Sequence, residues 1–399
     1  MITLEHIYQA SYALKDVVRP TPLVHMPGIS PKAQIYLKPE NLQVTGSFKV
    51  RGAAFKMSQL TAEERAHGVI ACSAGNHAQG VALAATRAGI KSLICLPDGA
   101  PISKVEATRR YGAEVCSVPG VYDDAYRKAL ELRDSCGYTF IHPFDDDAVI
   151  AGQGTIGLEI MNEMPQVDAV IVPIGGGGLI SGVAYTIKAL NPNVKVYGVQ
   201  AGGAPSMKLS LESGHIERLA SVRTIADGIA VKEPGENTFA YCSRYVDEIV
   251  TVTEDEISTA ILAMIEQQKM VAEGAGAVSV AAAMFDKLPI EGKNVVCVVS
   301  GGNIDVSILS RVISRGLQKS GRLCKLSIEL QDKPGQLRDV SAVIAEQGGN
   351  VVSVHYEHAG SGTEVNACII RIELETKNFE HLEEVRGALL REGYKLLAE

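Results

Sequence analysis

None of the eight cysteines (Cys72, Cys95, Cys116, Cys136, Cys242, Cys297, Cys324 and Cys368) belongs to a C-x-x-C pair. That scatter argues against a zinc site or a disulfide frame and for reduced thiols, several of them inside apolar, strand-like runs. There is no long basic run, and the formal net charge is −8. Nucleic acid and anionic membrane surfaces are therefore not expected partners. No apolar stretch reaches the roughly 20 residues needed to span a bilayer. Met1 to His6 carries no basic segment leading into an apolar one, so no signal peptide is expected, and the cytoplasm is the expected location. What is present suffices for a large core. The 399 residues are 46% hydrophobic and 21% charged, with 39 glycines and 16 prolines. This is the composition of a folded protein of two or three domains.

The stretch Gly46-Ser47-Phe48-Lys49-Val50-Arg51-Gly52 sets a lone lysine between a glycine turn and the start of a helix. Ile35 to Lys38 reads as a strand before it. Ala53, Ala54, Met57 and Leu60 recur at helical spacing after it. Lys49 thus stands on a first helical turn, where the dipole disfavours an ammonium and burial would disfavour it further. An amine near neutrality suits Schiff-base chemistry with an aldehyde or ketone. A solvated surface lysine is the ordinary alternative.

Strands and helices alternate along most of the chain. Val69–Cys72, Ser92–Leu96, Ala113–Val118, Tyr138–His142, Ala169–Ile174, Lys195–Val199 and Asn294–Val299 are strand-like. Helices are expected over residues 3–17, from His77 to Gly89, and over Ser103–Tyr111 with Ser103 as N-cap and Glu106 three positions on. Others are expected over Tyr122–Cys136, Gly152–Met161, Leu179–Leu190, Glu254–Gln268 and Ala275–Phe285. Asp146-Asp147 reads as a solvated face. Such alternation predicts an α/β body with a mostly parallel sheet covered on both faces. Ligands of such sheets gather at strand carboxyl ends. The loops at Ser73, Gly175 and Ser300 lie at such ends.

Residues 315–322 turn polar and basic and read as a linker. The expected division is 1–317, a linker 318–324, and 325–399. In the last part, Lys325–Leu330, Asn350–Glu357, Glu364–Glu375 and Tyr394–Leu397 are strand-like, with Ala359 to Gly362 as a turn. Gln336–Glu346 and Asn378–Arg391 are helix-like. The order βαββαβ predicts a ferredoxin-like unit.

Four consecutive glycines, Gly175 to Gly178, join a buried strand to a helix. Their N–H groups and the helix dipole suit an anion, most simply a phosphate. The dinucleotide fingerprint fails, because Ile180 or Ser181 stands where its last glycine belongs, and Gln200 replaces the expected acid. The P-loop fails because Val183 follows Gly182. A tight packing turn is the plain alternative. A phosphate of neither class, together with a Schiff-base lysine, suggests pyridoxal phosphate.

Taken together, Ser47 to Ala53, Ser73 to Gly80, Gly175 to Leu179 and Ser300-Gly301-Gly302-Asn303 resemble the fold-type II pyridoxal phosphate enzymes, most closely the threonine dehydratases, over roughly residues 3–317. The tail resembles an ACT domain. The resemblance implies two open, mostly parallel sheets with flanking helices. It implies that Lys49 holds the cofactor and removes the Cα proton, that Phe48 packs by the ring, and that Asn76 bonds the ring hydroxyl. Gly175, Gly176, Gly177, Gly178 and Leu179 would bind the phosphate, and Ser300 would face the pyridine nitrogen. A hydroxyl there cannot hold the ring protonated by charge, which favours elimination over transamination. Ser73, Gly75, Asn76 and His77 would meet the substrate carboxylate, mainly through backbone N–H groups. His77 reads as a residue beside the cofactor, not as the base. The implied reaction converts L-threonine to 2-oxobutanoate and ammonia, and L-serine to pyruvate.

Two departures bear on a serine racemase reading. Ala74 stands where racemases carry a second serine. Gln200 to Ser206 lacks the carboxylates that hold their divalent metal, so no metal is expected there, although a monovalent ion on carbonyls stays open. Glu273 reads as an ion ligand, a site-lining group or a helix-end carboxylate. Asp332, Pro334, Gly335, Gln336 and Leu337 resemble the first turn of ACT domains, where effectors bind. Isoleucine or valine, or AMP or ADP, are the effectors implied; a plain strand-to-helix turn is the alternative. The family implies a homodimer or homotetramer.

Overall fold

In a computed structural model that describes residues 1–358 and 367–397, Thr3 caps the first helix, Leu4–Leu14, by accepting from the His6 N–H. Ile7, Ala10 and Leu14 bury one face at helical spacing. Ten strands follow up to residue 299. They are β1 (Val24–His25), β2 (Gln34–Pro39), β3 (Val69–Cys72), β4 (Ser92–Pro97), β5 (Glu114–Val118), β6 (Thr139–Phe140), β7 (Ala169–Pro173), β8 (Lys195–Ala201), β9 (Glu248–Val252) and β10 (Asn294–Val299). They make two sheets, ordered β5-β4-β3-β6 and β1-β2-β10-β7-β8-β9. Every pairing is parallel except β1 against β2. All residues of β3 and of β7 are buried, as continuous apolar strands covered on both faces must be.

The register places the loops that matter. β2 runs beside β10 with Pro39 opposite Val299, and Ser47 then bridges Gly301. The chain before Lys49 is thereby tied to the loop after β10, where the Phe48 N–H donates to the Ser300 carbonyl at 3.1 Å. The helix Lys49–Ser58 begins at the lysine itself. Two residues on, Arg51 is fully buried and bonds both oxygens of buried Glu40, at 2.7 and 2.8 Å, and Glu159 at 2.6 Å.

Several local expectations change. Ser103 lies inside the helix Ile102–Arg110, which starts after Pro101, so it is not the N-cap. The helix expected over Gly152–Met161 runs Asp147–Glu163, because the Asp146 carboxylate accepts from the Ala148 and Val149 N–H groups. Asp146 also pairs with Lys56 at 2.7 Å, so it is no solvated face. The strand expected over Tyr138–His142 pairs only at Thr139 and Phe140. Glu254–Gln268 divides into an α-helix, Glu254–Ala263, and a π-turn, Met264–Gln268. The helices Ala62–His67, Ser206–Ser213 and Glu236–Tyr245 and the strand β9 were not expected. The three helices bury few apolar residues to mark them: none in the first, Met207 in the second, Tyr241 and Cys242 in the third.

Toward the C-terminus, the helix Val306–Lys319 extends into the stretch read as a linker. Arg311, Arg315 and Lys319 lie on its exposed side, while Val312 and Gly316 are buried. The helix is amphipathic, and its charges hide its period. The chain divides into compact units at Val306/Ser307, ahead of the expected 317/318. In the second unit, β11 (Leu323–Gln331), β12 (Asn350–His358), β13 (Ala367–Glu375) and β14 (Lys395–Leu397) form an antiparallel sheet ordered β12-β13-β11-β14. Ile328, Ile370 and Ile372 on one sheet face bury Val340 and Ile344 of the helix Gln336–Glu346, and Val385 and Leu389 of Phe379–Arg391. This is the expected βαββαβ unit. The Ala359–Gly362 turn and the strand start at Glu364 lie outside the described residues. No helix among the described residues is long and apolar enough to cross a membrane.

Candidate active site

A cavity of about 970 Å³ opens at the carboxyl ends of the strands in the first unit. Loops from both sheets line it, including those after β3, β7 and β10. Lys49 reaches it from its helix start. Its Nζ donates to the Pro143 carbonyl at 2.6 Å and lies 5.2 Å from the centroid of the Phe48 ring. Burial draws the amine down to about 8, against the opposing charge of Glu273. Desolvation, not the helix dipole, is the leading cause.

Gly175 to Gly178 pass from β7 into the helix Gly178–Leu190, with Gly177 at φ +99°. A Cβ on Gly176 would stand 2.5 Å from the Phe144 ring, and one on Gly177 would stand 2.7 Å from Thr238 Cβ. The Thr238 hydroxyl donates to the Gly176 carbonyl at 2.6 Å. Phe144, itself at the cavity wall, and Thr238 thus leave the loop no room for side chains, and its glycines line the cavity beside a helix N-terminus whose first N–H groups have no helical partner. Gly176→Ala is expected to weaken cofactor binding by about tenfold or more, as overpacking shifts the loop. Titration of the cofactor-free protein, read by visible absorbance, checks this; unchanged affinity would remove the loop from the binding site.

Asn76 is the first residue of the helix Asn76–Arg87. Its Nδ2 donates to Glu273 Oε1 at 2.6 Å, and its Oδ1 accepts from Asn303 Nδ2 at 2.8 Å. The His77 ring is buried and donates from Nε2 to the Ile141 carbonyl at 2.8 Å. Burial, then the charge of Lys49, holds its pKa at about 3, so it is neutral and a weak base. The Ser73 hydroxyl accepts from the Gly75 N–H at 3.1 Å. Ser300 is buried at the cavity wall.

The structure brings together all the expected body residues. It also adds some. His142 lines the cavity, and its Nδ1 accepts from the Asp145 N–H at 2.7 Å, while burial lowers its pKa. At the cavity wall Lys104 pairs with Asp227 at 2.6 Å, and Arg218 pairs with Glu233 at 2.7 Å. None of these five stands in a recognisable motif. Gln200 spends its side chain on the Ala204 carbonyl and the Lys208 N–H, and no cluster of potential metal ligands occurs among the described residues. In the second unit, Asp332, Pro334, Gly335, Gln336 and Leu337 form the turn into the helix Gln336–Glu346. Gly335 sits at φ +98°, Leu337 is exposed, and Asp332 accepts from the Tyr356 hydroxyl at 3.2 Å.

An amine with a lowered pKa, a glycine cradle that a Cβ would fill and a buried serine hydroxyl on one cavity wall fit pyridoxal phosphate. The fold and site define a pyridoxal phosphate-dependent enzyme. The chain belongs to that family: residues 14–301 match the family described as pyridoxal-phosphate dependent enzyme, and residues 320–392 match the ACT domain. The L-threonine ammonia-lyase of Thermotoga maritima is 50% identical over 398 residues, 99% of each chain. The processed form of threonine deaminase isoform 2 from Solanum lycopersicum is 41% identical with a TM-score of 0.75, over 78% of this chain and 87% of that one. Maize serine racemase is 34% identical with a TM-score of 0.74, over 79% of this chain and 98% of that one.

Proposed function

We propose that this chain converts L-threonine to 2-oxobutanoate and ammonia, with L-serine as a secondary substrate yielding pyruvate. The observation that carries the reading is the Lys49 amine, lowered to about 8 in a cavity that also holds the glycine cradle. Pyridoxal phosphate, when bound, supplies an electron sink for the pair left on Cα. Lys49 would hold it through Nζ, Gly175 to Leu179 would take its phosphate, Asn76 would take the ring oxygen and Ser300 the ring nitrogen. Phe48 packs beside it. Lys49 Nζ, oriented by the Pro143 carbonyl, would take the Cα proton. The Cβ–O bond would break with that proton passing to the leaving hydroxyl, so that water departs, and the enamine product would tautomerise and hydrolyse with one water to the oxo acid and ammonia. His77, held neutral, takes no proton in this scheme. In this reading Ser73, Gly75, Asn76 and His77 receive the substrate carboxylate.

The likeness to maize serine racemase supports racemisation as a second reading. Against it, Ala74 lines the cavity at the position of the second serine and has no exchangeable proton. Purified protein with cofactor is expected to release ammonia and 2-oxobutanoate from L-threonine and to form no D-serine from L-serine. No ammonia release would sink the first reading, and D-serine formation would favour the second.

We further propose that the ACT unit binds an effector at Asp332 to Leu337, either isoleucine or valine, or AMP or ADP, and that the protein works in the cytoplasm as a homodimer or homotetramer. Repeating the assay with isoleucine and with AMP tests the regulation.

A further inference from the structure

We propose that Glu273 is a positioning residue of this site: it locks the side-chain amide of Asn76 so that an N–H, not the carbonyl, is offered to the cavity. The inference rests on the reading of Asn76 as a cofactor contact. An asparagine amide has two ends of nearly equal shape, and only its partners decide which end points where. Above about pH 7, where Glu273 is ionised, both ends of the network are acceptors only. The Thr45 carbonyl accepts from Asn303 Nδ2 at 2.8 Å. The other hydrogen of that Nδ2 goes to Asn76 Oδ1 at 2.8 Å. Asn76 Nδ2 is thereby turned to Glu273 Oε1 at 2.6 Å, which leaves one N–H hydrogen for the cavity that Asn76 lines.

Glu273 is itself held in place. It is 4% exposed, precedes the helix Gly274–Met284, and donates its backbone N–H to the Gly301 carbonyl at 3.0 Å. A side chain on Gly301 would overlap its Oε1, so the glycine after Ser300 makes room for this carboxylate. Burial raises the carboxyl to about 7, and Asp227 adds to this; Asn76, Lys104 and Lys49 oppose it. As pH falls through about 7 the carboxyl takes a proton and becomes a donor on one oxygen, so the lock loosens. As pH rises it tightens.

The test is a double-mutant cycle on the pyridoxal phosphate dissociation constant, measured by titrating cofactor-free protein. Glu273→Leu and Asn76→Ala are each expected to weaken binding about tenfold. The double variant is expected to be no weaker than Asn76→Ala alone. Equal weakening by Glu273→Leu in both backgrounds would overturn the inference. An unchanged constant in Asn76→Ala would instead overturn the cofactor contact on which it rests. Glu273→Gln, whose Oε1 accepts at every pH, is expected to keep the affinity seen at pH 8 and to show a shallower fall in affinity below about 7, keeping only the part that protonation of Lys49 sets. A fall as steep in Glu273→Gln as in the unaltered protein counts against the proposal. Should Glu273→Leu not fold, Asn303→Ala breaks the same network at its other end, with the same expectation in the Asn76→Ala background.

Discussion

Lys49→Ala is expected to abolish ammonia release from L-threonine, with kcat falling by about 10⁴-fold or more, because in the proposed scheme one nitrogen serves as both tether and base. The variant should also lack the visible absorbance of covalently bound cofactor while keeping the thermal stability of the cofactor-free protein. A variant that retained that absorbance would place the tether elsewhere. The lowered pKa gives a second signature. Only the neutral amine attacks an aldehyde, so capture of cofactor by the cofactor-free protein should rise with pH and level off above about 8. An ordinary lysine at about 10.4 would have under about 1% neutral amine at pH 8, against about half here. A capture rate still climbing at pH 10 would show that burial does not tune Lys49.

Arg51→Met is expected to cost about 3–5 kcal/mol of stability. Arg51 is fully buried and spreads its donors over Glu40, Glu159 and the Thr155 hydroxyl. Removing it strands Glu40, also fully buried, with only the Thr21 hydroxyl at 2.6 Å. Glu159 is partly exposed and keeps Lys38, so Glu40 carries most of the cost. Denaturant unfolding of the cofactor-free protein measures this. A loss below about 1 kcal/mol would mean that water or rearrangement rescues Glu40. Adding Glu40→Leu should return part of the loss, since replacing both partners removes the unpaired charge. Arg51 lies two residues from Lys49 on one helix, so the same cluster anchors the element that carries the nucleophile.

Much of the site could be read in the sequence because its chemistry sits in short contiguous runs. The lysine after a glycine turn, the four glycines after an apolar strand and the serine after β10 are each defined by their neighbours. The alternation of strand and helix was equally plain, because buried parallel strands such as Val69–Cys72 and Ala169–Pro173 are continuously apolar. Other features were hidden. Asp146 read as one of two solvated acids, yet its role is set by the helix it caps and by Lys56. Residues 315–319, the end of the Val306–Lys319 helix, read as part of a basic linker because Arg315 and Lys319 stand there and Gly316 is the one buried residue.

By itself, then, the sequence determined which residues could do chemistry and the order of elements that would present them, since both depend on local spacing. Only the tertiary structure decided the state of those residues. The Lys49 amine is lowered by surroundings drawn from distant loops, with Pro143 as its hydrogen-bond partner. Asn76, Glu273 and Asn303 meet across separations of 197 and 227 residues. Burial and amide orientation are properties of what surrounds a side chain, and for these residues the surroundings come from parts of the chain that only folding brings near.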